Sequence, residues 1–227
     1  MLPILYIDEH LVAIDKPAGL LVHRTALDTR EQRFALQLLR DQLGRPVWPA
    51  HRLDKGTSGV LLFALDASVA SLLGQAFESA QMSKCYLALV RGWPSAEAGL
   101  IDHPLARDPE RASAGQEMLA ARTAWTLQRR LEWPLALDPR FPGSRFALIE
   151  ARPETGRRHQ IRRHLKHIAH PIIGDATHGK GPLNRAVAAH LGVQRLWLHA
   201  LSLAFAHPLT GAPLRVEAPL GPEWSGL

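Results

Sequence analysis

The stretch HRLDKGTSG at residues 51–59 sets a single carboxylate, Asp54, among cations. His51 and Arg52 precede it and Lys55 follows. Thr57, Ser58 and Gly59 then lead straight into the apolar run VLLFAL. An aspartate in a bend commonly bonds its own backbone two residues on. Here the neighbouring cations, two hydroxyls and a bare glycine backbone offer more than a turn requires, and glycine is useful where a ligand approaches closely. The apolar run predicts a buried strand that would hold the bend rigid. The arrangement suits a catalytic carboxylate.

A second cluster, GRRHQIRRHLKH (residues 156–167), puts five cations and three histidines into twelve residues. With a formal net charge of +6, it points to a polyanionic partner, RNA or DNA first. His159, His164, His167 and His170 raise a metal site as a rival reading. On one helix His159 and His170 would share a face, with His164 and His167 on another part of the surface. No carboxylate completes a three-ligand set and the surrounding cations oppose a divalent ion, so no metal is expected.

These groups need a scaffold, and 227 residues with 46% apolar and 21% charged content suffice for one globular catalytic domain. The lone cysteine, Cys85, excludes a disulfide framework and fits a reducing cytoplasm. No apolar run approaches membrane-spanning length. The start MLPILYIDEH lacks the marks of a signal peptide and no polar linker divides the chain, so residues 1–227 are expected to form a single catalytic domain without a membrane anchor.

ILYI, LVAID and VLLFAL read as short strands, and KPAG (residues 16–19) as a bend. Residues 29–43 read as a helix closed by Gly44, with Asp28 and Glu31 as a capping box. Asp66 should cap a second helix, ASVASLLGQAFESA, followed by the strand KCYLALVRG. Residues 92–143, with frequent prolines and weak periodicity, read as loops and short strands, an insertion over one face. RFALIEARP reads as a strand, TGRRHQIRRHLKHIAH as a helix, HPIIGD as a loop, RLWLHALSLAFAHP as a long strand, and LTGAPLRVEAP as its hairpin partner. Strands in runs with few helices predict an α+β fold whose mixed sheet is mostly antiparallel.

HRLDKGTSG resembles the signature of the pseudouridine synthases of the RluA type: His-Arg-Leu-Asp, two variable residues (here Lys55 and Gly56), then Thr-Ser-Gly. DEHLVAIDKPAGLLVH, KCYLALVRG, PETGRRHQIRRHL (with Ile161 where leucine is commoner), HPIIGD and LHALSLAFAHPLTG resemble further blocks of that family. Only residues 105–143 lack such an anchor, and because the matching blocks begin at the first strand, the resemblance implies no separate N-terminal RNA-binding domain. The resemblance implies an isomerase that breaks the N1–C1′ bond of a uridine, turns the freed uracil and joins C5 to C1′. Nothing is oxidised or hydrolysed, so no cofactor is required, and no second acid of the kind that activates water in glycoside hydrolysis sits in the motif.

By the same resemblance Asp54 is the essential carboxylate, through attack at C1′ or at the base, or through stabilising positive charge at C1′. Tyr86 stacks on the uracil, and Arg162 pairs with the aspartate. Arg52 occupies the gap left by the flipped base. RNA or base contacts are also expected from His51, Thr57, Ser58, Gly59, Arg157, Arg158, Gln160 and Leu198. On a helix, Arg162 would border the stripe Ile161, Leu165 and Ile168, with Arg158 and Lys166 as its i±4 neighbours toward phosphates. VRGW, RRHLKHIAHPIIGDATHG and RLWLHA resemble the branch of the family that acts on uridine 65 of tRNA, although His178 stands where tyrosine is usual. A ribosomal RNA target is the alternative, and no obligate protein partner is expected.

Overall fold

A computed structural model describes residues 1–24, 32–136 and 140–227. In chain order the elements are β1 (Ile4–Ile7), β2 (Leu11–Lys16), α1 (Ala35–Leu43), β3 (Trp48–Pro49), β4 (Ser58–Ala64), α2 (Ala67–Glu78), β5 (Ser83–Arg91) and β6 (Ala98–Asp102). Then come β7 (Leu105–Ala106), β8 (Met118–Leu119), β9 (Arg122–Trp133), β10 (Ser144–Pro153), α3 (Gln160–His167), α4 (Gly181–Leu191), β11 (Leu198–Ala206) and β12 (Pro213–Glu217). The chain is α+β, as its sequence predicts. It divides into two compact units, residues 1–84 with 199–220, and residues 85–198 with 221–227.

In the first unit the strand order is β1-β2-β4-β11-β12, with β3 also on β4. The β4–β11 pair is parallel, and the other pairs of the unit are antiparallel. All seven residues of β4 are buried, which explains its unbroken apolar sequence. A strand covered on both faces has no polar side to alternate with. Val60, Leu62 and Ala64 of β4 pack with Leu11 and Ala13 of β2, Val69 and Leu73 of α2, and Leu203 and Phe205 of β11. Asp66 caps α2 as expected, its Oδ1 accepting from the Val69 amide at 2.8 Å.

In the second unit the order is β5-β10-β9-β6, antiparallel throughout, with β7 and β8 forming a separate ribbon. Its core joins Leu89 and Val90 of β5 to Phe146 and Ile149 of β10, Ile161 and Leu165 of α3, Val187 of α4, and Trp197.

Three expectations are corrected, and one element was not foreseen. Helix α1 starts at Ala35 with no side-chain cap, not at residue 29, and ends on Gly44 in the left-handed conformation, φ 65°; the capping pair Asp28 and Glu31 lies outside the described residues. The segment read as loops and short strands holds the short strands β6, β7 and β8 but also β9, twelve residues long and paired along β10. Its alternation is interrupted by a register shift where Leu127 and Arg129 face Ile149 and Leu148, so Gln128 is a bulged extra residue. Helix α3 spans only residues 160–167, because His159 is left-handed at φ 55° and Ala169 at φ 67°. Finally, α4 is a helix that strand and turn signals did not single out, closed by Gly192 at φ 70°.

Candidate active site

Asp54 opens a tight turn in the first unit. The Thr57 amide donates to the Asp54 carbonyl at 3.0 Å, with Lys55 and Gly56 at the corners. The turn is tied down from below. Lys16, fully buried, donates from Nζ to the carbonyls of Leu20 (2.7 Å), Pro17 (2.9 Å) and Lys55 (3.2 Å). The Gly19 amide also donates to the Lys55 carbonyl, at 2.8 Å. A buried ammonium must have such partners, and here they clamp the KPAG bend to the Asp54 turn. Asp54 is half-buried.

The rest of the signature divides by role. Arg52 is exposed. His51, expected at the RNA, instead packs its ring on Phe77 with centroids 4.6 Å apart, and its Nε2 accepts from the Leu62 amide at 3.1 Å. Burial, helped by the nearby Lys84 ammonium, pushes its pKa down to about 3. The ring is therefore neutral at physiological pH and anchors the loop to β4. Burial also lowers the pKa of Lys84 itself.

Thr57, Ser58 and Gly59 are likewise buried, and the contacts described for Ser58 and Gly59 are structural. The Ser58 hydroxyl lies 2.8 Å from His199 Nδ1. His199 Nε2 faces the Ala218 carbonyl at 3.3 Å, which assigns the ring proton to Nε2 and makes Ser58 the donor to Nδ1. Gly59 holds φ 106°, and a Cβ there would run into the backbone carbonyl of Ala200, its partner across the β4–β11 pair. The glycine is required by strand approach and backbone conformation together.

The second unit carries the other candidates. Tyr86 on β5, opposite Ala151 of β10, is half-buried against the core of its unit. Cys85, next to it, is buried. Arg162 is 8% exposed and holds Asp175, itself 1% exposed, through Nε–Oδ2 (2.7 Å) and Nη2–Oδ1 (2.9 Å). Burial alone would raise the Asp175 pKa, but hydrogen bonds from Arg162, its charge and the His178 amide outweigh burial and hold the carboxyl below its usual range. Sequence reading passed over Asp175, although HPIIGD placed it in a recognised block; its partner lies on a helix 13 residues earlier.

Gln160, expected at the RNA, is buried and its amide is used inside the protein. Oε1 accepts from the Thr155 hydroxyl (2.7 Å) and the Arg157 amide (2.9 Å), and Nε2 donates to the Arg122 carbonyl (2.9 Å) and to Thr123 Oγ1 (3.0 Å). Arg158 lies in the turn before α3, so it is not a helical neighbour of Arg162, and it pairs with Glu110 and, at 3.6 Å, with Asp108. Arg157 is exposed, its Nε donating to the Ala120 carbonyl at 3.0 Å. Lys166 is exposed on α3. Leu198 is buried in the core of the second unit.

The histidines scatter as well. His159 and His170 both lie outside α3. His164 is fully buried between the Thr123 hydroxyl (Nδ1, 2.9 Å) and the His103 carbonyl (Nε2, 3.0 Å). His167 stacks on His103 with centroids 3.8 Å apart, and His159 Nδ1 lies 3.3 Å from His178 Nε2.

A turn that presents one carboxylate beside an exposed arginine, on a floor fixed by a buried lysine, fits the enzymes its sequence resembles. The family model described as RNA pseudouridylate synthase matches residues 10–167, and the chain belongs to that family. It is 47% identical to the tRNA pseudouridine synthase C of Vibrio cholerae, over 100% of this chain and 94% of the relative, and 46% identical to that of Pasteurella multocida with the same coverage. Among solved structures, human RNA Pseudouridylate Synthase Domain Containing 4 aligns over 97% of this chain and 89% of its own, with a TM-score of 0.70 and 27% identity. Human RNA Pseudouridylate Synthase Domain Containing 1 aligns over 97% and 84%, with a TM-score of 0.76 and 24% identity, a likeness of fold.

Proposed function

We propose that the protein isomerises a uridine of tRNA to pseudouridine, with uridine 65 as the target, and that both units serve as one catalytic domain in the cytoplasm. The observation that carries the reading is the rigid turn at Asp54. Its Lys55 carbonyl is clamped by Lys16, and the strand that follows is locked to β11 through Ser58 and Gly59. A reacting carboxylate held in one geometry removes much of the orientational cost of the chemical step. The full-length similarity to tRNA pseudouridine synthases C supports tRNA as the RNA, and a chain whose one cysteine, Cys85, is buried suits a reducing compartment.

In this reading Asp54 supplies negative charge to the sugar carbon as the N1–C1′ bond breaks. The uracil turns in place, C5 joins C1′, and the proton on C5 departs. N1 takes up a proton in place of the one C5 gives up, so atoms and electrons balance and no cofactor is consumed. Tyr86 contributes a ring face for the uracil and a hydroxyl for the departing proton. Arg162 contributes the positive charge that keeps a carboxylate ionised away from bulk water. Arg52 fills the stack vacated by the base, and Arg157 and Lys166 meet phosphates.

The test is tritium release from tRNA labelled at uridine C5. Asp54→Asn should abolish release while tRNA binding persists; equal turnover in variant and parent would overturn the mechanism. Chemical mapping of pseudouridine in tRNA and ribosomal RNA, from cells with and without the gene, decides the target. Loss of the modification at position 65 of tRNA supports the reading. Loss in ribosomal RNA with tRNA unchanged refutes it.

A further inference from the structure

We propose that Asp175 is a positioning residue that sets the direction of the Arg162 guanidinium; the inference rests on the reading in which Arg162 serves the isomerisation. The carboxylate grips one edge of the guanidinium, Nε and Nη2, in a bidentate pair at 2.7 and 2.9 Å. That grip fixes the plane of the group and where its Nη1 edge points.

The carboxylate is itself fixed. Asp175 Oδ1 also accepts from the amides of Thr177 (2.9 Å) and His178 (2.8 Å). Its backbone carbonyl accepts from the Asn184 side chain (3.0 Å) and the Gly179 amide (3.1 Å), while Asn184 Oδ1 accepts from the Gly174 amide (2.9 Å). Gly174 holds φ 78° with its α-carbon pressed on the Arg195 carbonyl, where no side chain fits. Helix α4 and the segment before β11 thus hold the loop from both sides. A buried ion pair adds little net stability once desolvation is counted. A pair held by this many independent bonds is suited to fixing an orientation, and small errors in orientation are costly to a reaction.

The experiment measures kcat and KM for tritium release from tRNA, with thermal melting on each variant. Asp175→Asn should lower kcat roughly ten- to a hundredfold with KM changed less than about threefold. The same substitution in an Arg162→Lys background should cost little more, because Asp175 acts through the arginine. Asn184→Ala keeps both partners of the ion pair and loosens only the loop that aims them, so it tests the inference where Asp175→Asn does not fold; it should lower kcat about two- to fivefold with KM unchanged. Parent-like kcat in folded Asp175→Asn overturns the inference. So does parent-like kcat in Asn184→Ala, or equal losses from Asp175→Asn in both backgrounds. A parent enzyme that releases no tritium from tRNA is the separate failure of the functional reading. In that event the Arg162 Nε–H resonance still decides the contact: it should shift in Asn184→Ala, and an unmoved resonance overturns the inference.

Discussion

Ser58 and His199 stand 141 residues apart in sequence, yet the serine hydroxyl lies 2.8 Å from the imidazole Nδ1, with both side chains buried. The bond joins the first residue of β4 to β11 at the foot of the Asp54 turn. Because His199 Nε2 is turned to the Ala218 carbonyl, Nδ1 needs the serine proton. Ser58→Ala should therefore strand a buried acceptor and cost about 1–3 kcal/mol, read as a lower urea midpoint at unchanged slope.

Gly59→Ala should be more damaging than its one added methyl suggests. The residue sits at φ 106° and faces the Ala200 backbone carbonyl, which belongs to a strand and cannot give way as a flexible side chain would. A loss of about 3 kcal/mol or more is expected, checked by chemical denaturation, with tritium release falling alongside because the Asp54 turn loses its footing.

Stability should fall on acidification in a way traceable to histidines. His51, at about 3 in the folded chain against 6.5 unperturbed, and His164, lowered by burial, both bind protons less readily folded than unfolded. The stability they contribute is complete above about pH 6.5 and declines as the pH drops, for His51 until about pH 3. Melting temperature measured from pH 7.5 to pH 5 should fall, and His51→Gln should flatten that slope.

Arg52→Ala should separate function from folding. The side chain is exposed, so stability should stay within about 0.5 kcal/mol of the parent, while single-turnover isomerisation slows at least about tenfold for want of a group to hold the base out. Parent-like rates would remove Arg52 from the mechanism.

Thr123→Val keeps shape but deletes a hydroxyl that serves two buried partners, Gln160 Nε2 and His164 Nδ1. Two groups lose a partner at once, and about 2–4 kcal/mol should be lost. The comparison that checks it is the Thr123→Ser variant, which should retain most of the stability.

The strands β1, β2, β4, β5 and β10 and the cap of α2 were legible because each depends on its own residues. The β9 strand was not: Gln128, Arg129 and Arg130 cluster at a bulge, where two-residue alternation breaks. The start of α3 was misplaced because arginine and histidine tolerate a helix, and only the left-handed backbone at His159 stops it. In the site, Asp54 stood out through its motif. The anchoring roles of His51, Ser58, Gly59 and Gln160 stayed hidden, since each is defined by a partner elsewhere in the chain: Phe77, His199, Ala200 and Thr123. Polar residues packed into a motif look alike whether they face a substrate or brace the loop that does.

The first unit is discontinuous, residues 1–84 being completed only by residues 199–220. During synthesis β4 can pair with β2 early, and with β3 at its Phe63–Ala64 end, but its other edge at Ser58 and Gly59 waits for β11. At a ribosomal pace of roughly 5–20 residues per second, that wait lasts on the order of ten to thirty seconds. Throughout it the first residues of a strand destined for complete burial offer an open edge to any passing chain, and the aspartate turn above them lacks its second support. The nascent protein is thus most prone to aggregation in the same interval in which it is catalytically idle, and both conditions end together when β11 docks.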